Sequence, residues 1–118
     1  MDDQLSKESN ISIKVNLNKE KHPRKILWHS DDNPEGNHWM EAKAMLISFF
    51  DKEYLDTYKI DLWTHEMQVA EMDRFIFQTL RAMADTYRNA TGNTALANDI
   101  QRFVQYFGEK TQIITEES

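Results

Sequence analysis

Between residues 58 and 92 the hydrophobic period of this chain changes from two to about 3.6, and that change constrains the fold more than any other feature. Tyr58, Ile60 and Leu62 alternate with Lys59, Asp61 and Trp63, as on a strand with unlike faces. A few residues on, Val69, Met72, Phe75, Ile76, Leu80, Met83, Ala84 and Tyr87 recur at steps of three and four, the stripe of an amphipathic helix. Arg74, Gln78, Arg81, Asp85 and Arg88 fall mainly on its wet side, with Arg81 and Asp85 spaced to pair. Gly92 stops the helix as a left-handed cap would. A strand therefore feeds a long helix.

Upstream, Ile11, Ile13, Val15 and Leu17 alternate with polar residues and predict a half-buried strand. A polar turn over residues 18–23 leads to a second strand at 25–29, with Ile26 and Trp28 on one face and Pro23 at its start, where a missing N–H costs least. Residues 30–37 form an acidic loop with two turn signals, Pro34 and Gly36. Residues 42–50 are apolar on nearly every side. A buried strand and a buried helix look alike there, and the short run, with a plausible hairpin loop at 51–56, favours the strand. Downstream, Thr94 is placed to cap a second helix carrying Leu96, Ile100, Phe103, Val104 and Phe107, joined to the first by about five residues.

The expected fold is α+β: an antiparallel β-meander of three to four strands, four if 42–50 is one, packed on two C-terminal antiparallel helices. At 118 residues the expectation is a disordered tail at 1–8, one domain at 9–110 and an acidic tail at 111–118, whose Ile113 and Ile114 could dock. No apolar run approaches bilayer length, the N-terminus lacks the features of a secretory signal and cysteine is absent, so a cytoplasmic protein without membrane insertion is expected.

The charge is uneven. The whole chain carries −6, yet residues 14–29 hold Lys14, Lys19, Lys21, Arg24 and Lys25 against Glu20, a net +4 that leaves −10 elsewhere. This stretch reads either as a basic hairpin that docks on an acidic partner or phosphate, or as a solvated hairpin tip. A pI of 5.1 argues against nucleic acid as the partner.

No catalytic set assembles. Residues 31–36 open like a calcium loop, but Ala42 stands where the chelating glutamate belongs and Glu41 is one position short. His22, His29, His38 and His65 are scattered without metal-pair spacing, so no metal or cofactor is expected. His65 and Glu66 with Asp61 could form an acid–base set, although capping and solvation account for the same residues.

With both helices on one face of the sheet, the other face needs an explanation. Trp63 and Leu27 lie opposite the core positions of their strands, and either Met45, Ile47 and Phe49 or Leu46 and Phe50 joins them. Contiguous apolar surface marks an interface, so Trp63, Leu27, Ile47 and Phe49 are the candidate interaction residues, for a homodimer or a protein partner. The alternative is that Trp63 packs on the stems of Lys59 and a neighbouring lysine. A different function class, a small-molecule site or enzyme, would place a pocket lined by Trp28, Tyr58 and Tyr87 between sheet and helices.

The string Ile60-Asp61-Leu62-Trp63-Thr64, Glu71-Met72, Phe75, Gln78-Thr79-Leu80, Met83-Ala84-Asp85-Thr86 and Ala90-Thr91-Gly92 resembles the gliding-motility protein GldC family of the Bacteroidetes. Glu41-Ala42-Lys43-Ala44-Met45, Asp51 and Phe107-Gly108-Glu109 extend the resemblance over residues 10–110. Gln68 departs from the proline expected at the first helical position. The resemblance implies a small cytoplasmic accessory protein of bacterial gliding, without catalytic residues or cofactor, whose partners include other gliding or cell-envelope components.

Overall fold

The computed structural model describes residues 7–32 and 38–115. The first six residues of the expected tail, Pro34 and Gly36 of the acidic loop, and residues 116–118 lie outside the described residues. The chain divides into two compact units, Met1–Met67 and Gln68–Ser118. The α+β class is as the pattern predicts, with antiparallel strands first and two helices after.

In the first unit, β1 (Ile11–Leu17) and β2 (Pro23–Ser30) make the expected hairpin. Its turn is built by Asn18, whose side-chain oxygen accepts from the backbone N–H groups of Glu20 (2.9 Å) and His22 (3.0 Å). Lys21 takes the left-handed conformation the turn requires (φ 65°). Asn16 faces Lys25 and Leu17 faces Pro23, so Arg24 is an extra residue, a β-bulge at the start of β2. β3 (Met40–Ala42) adds to the far side of β2. One face of this sheet carries Ile13, Val15, Ile26, Trp28, Met40 and Ala42, centred on Ile26 at 1% exposure. On the other face Leu27 lies between Lys14 and Glu41.

A second sheet pairs β4 (Ala44–Phe50) with β5 (Thr57–Trp63). Residues 44–50 are thus a strand. Met45, Ile47 and Phe49 face Leu62, Ile60 and Tyr58 across the ladder, an alternation that only a strand can match. Asp51 closes the hairpin loop: its carboxylate accepts from the N–H groups of Glu53 (3.0 Å) and Tyr54 (2.7 Å), and its own N–H donates to Asp56 (2.8 Å).

One meander of up to four strands was expected, whereas the described residues hold five strands in two sheets, ordered β1-β2-β3 and β4-β5. The difference arises at Lys43. The run from Met40 to Phe50 is broken there, and it exchanges β2 as its partner before the break for β5 after it. The Lys43 carbonyl accepts from the Thr64 N–H at 2.8 Å, which continues the second ladder into the break.

The second unit is a helical hairpin of α1 (Val69–Thr91) and α2 (Thr94–Lys110). Gln68 is the residue before α1, and its N–H donates to the Glu71 carboxylate at 3.0 Å. That reciprocal cap uses a backbone N–H that proline would lack. Gly92 ends α1 at φ 75°, its N–H donating to the Arg88 carbonyl. The connection is two residues rather than about five, and Asn93, not Thr94, caps α2, accepting from the Leu96 N–H at 3.0 Å. Asparagine ranks above threonine as an N-cap.

Buried positions recur at sevens, Phe77 and Ala84 on α1 against Ala97 and Val104 on α2. Phe77 was absent from the predicted stripe, while Val69 and Met83, which were in it, are exposed. A single stripe averages over the helix face, whereas the seam between two helices is narrower and follows every seventh residue. After α2 the chain folds back: the N–H groups of Ile113 and Ile114 donate to the Gly108 carbonyl at 2.9 and 3.0 Å, and both side chains are half-buried.

Candidate functional site

The first hairpin and the end of β5 enclose a cleft of about 380 Å³. Asn18, His22, Pro23 and Arg24 line it from the hairpin; Asp61, Leu62 and Trp63 line it from β5, and Thr64 and His65 from the segment that follows. Thr64 is 3% exposed and held by the Lys43 carbonyl, so this end of β5 is firmly placed. Trp63 pairs across the ladder with Ala44 and stays 56% exposed. Arg24 reaches the cleft because the bulge takes it out of the strand alternation.

The polar lining is unequal in its commitments. Asp61 already has a cation, with Lys59 Nζ at 3.6 Å. Among the described residues, the side chains of His22, Arg24 and His65 make neither an ion pair nor a hydrogen bond. The cleft therefore presents nitrogen donors beside the apolar surface of Trp63, Leu62 and Pro23.

The four residues singled out from the sequence do not share one face. Trp63 lies with Ala44, Leu46 and Phe50 on one side of the second sheet. Ile47 and Phe49 lie on the other side, with Ile60 and Tyr58, where Phe49 is 61% exposed. Leu27 belongs to the first sheet and is half-buried. Of the candidate acid–base set, Asp61 and His65 both line the cleft and Glu66 does not. His22 and Arg24 join them there; Arg24 belongs to the basic stretch of the sequence, but nothing in the pattern placed it beside β5.

Trp39 was overlooked. Its ring lies 5.4 Å from that of His29, with Lys14 Nζ 4.2 Å from its centroid.

The acidic loop is occupied differently from a calcium site. Asp31 accepts from the backbone and side-chain nitrogens of Asn10, each at 3.1 Å. Asp32 accepts from Ser9 Oγ and from Lys7 Nζ, the latter at 2.9 Å. These contacts hold the Asp32 carboxyl below its ordinary value, hydrogen bonds from Ser9 and Lys7 being the main cause. The same pairing raises the Lys7 ammonium above its own. Among the described residues no group of three histidine or acidic side chains is placed to hold a metal ion. No helix among them is long and apolar enough to cross a membrane.

The molecule is a small α+β protein whose described residues form two antiparallel sheets and a helical hairpin. The chain belongs to the GldC-like family: the family model described as "Gliding motility-associated protein GldC-like" matches residues 23–113, from the start of β2 to the turn after α2. Membership associates it with gliding motility. No curated protein and no solved structure matches the chain.

Proposed function

We propose that the protein is a non-enzymatic, cytoplasmic accessory or adaptor of the gliding machinery that acts by protein–protein contact. The observation that carries this reading is Trp63: a large aromatic side chain, more than half exposed, at the mouth of a cleft with uncommitted hydrogen-bond donors. Tryptophan is enriched among the residues that carry interface energy, and it is costly to leave in water. Phe49, Ile47 and, in the first sheet, Leu27 are candidate secondary contacts. Other gliding or cell-envelope components are the expected partners, with a second copy of the chain as the alternative.

Affinity purification from gliding cells tests the reading. Wild-type protein is expected to recover motility or envelope components that Trp63→Ala does not. Equal recovery by both would refute it. The competing reading, a small-molecule site, would be favoured by a metabolite that raises the melting temperature in a thermal-shift screen.

A further inference from the structure

We infer that the cleft between the first hairpin and β5 is a peptide site that takes an extended acidic segment of a partner protein, with a carboxylate beside an aromatic or aliphatic side chain. The inference rests on the adaptor reading and adds the chemistry of the partner.

The cationic half of the argument is Arg24. A guanidinium keeps its charge throughout the physiological range and presents a donor fork that matches a carboxylate. Arg24 lacks any acceptor among the described residues, and the bulge that places it in the cleft is a feature folds use to re-aim a side chain. His22 and His65 add ring nitrogens on either side. The carboxylate in the lining, Asp61, is balanced by Lys59, so an incoming acid does not meet an unscreened like charge. Lys19, Lys21 and Lys25 lie on the same hairpin, within the segment whose net +4 stands out from an otherwise acidic chain. Charge complementarity therefore selects an acidic segment short enough to meet the basic hairpin alone, while the −10 elsewhere repels a longer polyanion such as nucleic acid.

The peptide half of the argument is the edge of β5. Among the described residues β5 pairs with β4 alone, so its second edge carries unpaired backbone groups. Five consecutive residues, from Asp61 to His65, line the cleft. Of these, Asp61, Leu62 and Trp63 belong to β5, and neighbours on a strand point to opposite faces, so the end of β5 presents its edge to the cleft rather than one face. An extended peptide can add to such an edge through its backbone, placing one side chain against Trp63 and another toward Arg24.

The test is to pan displayed random peptides on the full chain and to titrate labelled winners by fluorescence anisotropy against wild type, Arg24→Gln, Arg24→Lys and Trp63→Ala. Melting curves establish that each variant is folded. The enriched peptides are expected to carry aspartate or glutamate next to an apolar residue. Arg24→Gln should weaken them roughly ten- to a hundredfold, as loss of a charged hydrogen bond does. Arg24→Lys should recover part of that loss, and Trp63→Ala should weaken binding as well. A glutamine version of the peptide should lose as much on wild type and nothing further on Arg24→Gln. The inference is overturned by the absence of enrichment, by winners without acids, by acidic winners that bind Arg24→Gln as tightly as wild type, or by full competition from succinate at the peptide's own concentration, which would mark a small-anion site. Motility proteins lost from Trp63→Ala but retained by Arg24→Gln in the purification would overturn it while leaving the adaptor reading intact.

Discussion

At Gly108 the absence of a side chain decides how closely the second unit can pack. A Cβ there would lie 2.6 Å from Ile114 Cδ1 and 2.7 Å from Phe77 Cε1, closer than carbon atoms approach. Alanine gains up to about 1 kcal/mol of helix propensity, but overpacking costs about 1–3 kcal/mol. We expect Gly108→Ala to lower stability in urea by about 1–2 kcal/mol, and Ile114→Ala in the same chain to recover part of that loss; a stabilising Gly108→Ala would show that Phe77 and Ile114 yield freely. Asp32 carries a prediction about pH. Its lowered value means that its contribution is present above the ordinary carboxylate value of 3.8 and is lost as pH falls through the folded value. Lys7, shifted upward, contributes below 10.5 and ceases to as pH rises through its folded value. The melting temperature of Asp32→Asn should therefore fall short of wild type at neutral pH and converge with it in acid; a constant offset would contradict the pairing. Ion-pair choice was the least legible feature at this scale. Arg81 and Asp85 have the right spacing, yet Asp85 pairs with Arg88 at 3.3 Å and Arg81 lies 5.4 Å from the centre of the Phe77 ring. Three- and four-residue neighbours are equally near on a helix, and what else a long side chain can cover decides between them.

At the scale of elements, the two residues between the helices carry the hairpin. Gly92 holds a backbone conformation that costs an L-residue about 1–2 kcal/mol, so Gly92→Ala should lose about that much in denaturant unfolding. Asn93→Ala should lose about 1 kcal/mol through the missing cap. The residues are adjacent, so the double variant is expected to depart from the sum. The end of α1, the turn of the first hairpin and the strand at β1 were legible because Gly92, Asn18 and the alternation from Ile11 to Leu17 act through local backbone chemistry. The strand at residues 44–50 was legible only in part. Its own composition suits a buried helix equally well, and the pairing of Met45, Ile47 and Phe49 with β5 settles the matter. The break at Lys43 left no trace in the hydrophobic pattern, because both halves of the run are apolar.

For the whole molecule, the prediction concerns Trp63. An exposed side chain contributes little to folding, so Trp63→Ala should change unfolding free energy by no more than about 0.5 kcal/mol while abolishing recovery of motility partners. Loss of partners together with a collapse in stability would assign Trp63 to the fold instead. If the basic hairpin guides association, binding should also weaken steadily as salt is raised, since exposed charges are screened over about a Debye length of 10 Å at 0.1 M. The sequence by itself determined that antiparallel strands precede two helices, where the first hairpin turns and where α1 stops, because periodicity and φ preferences are properties of neighbouring residues. Tertiary structure alone decided that Trp63 shares a cleft with Arg24 and lies on the face opposite Ile47 and Phe49. Those relations depend on ladder register and on one bulged residue. A shift of one position turns every side chain of a strand to the other face, and only the pairing of segments distant in the chain sets that position.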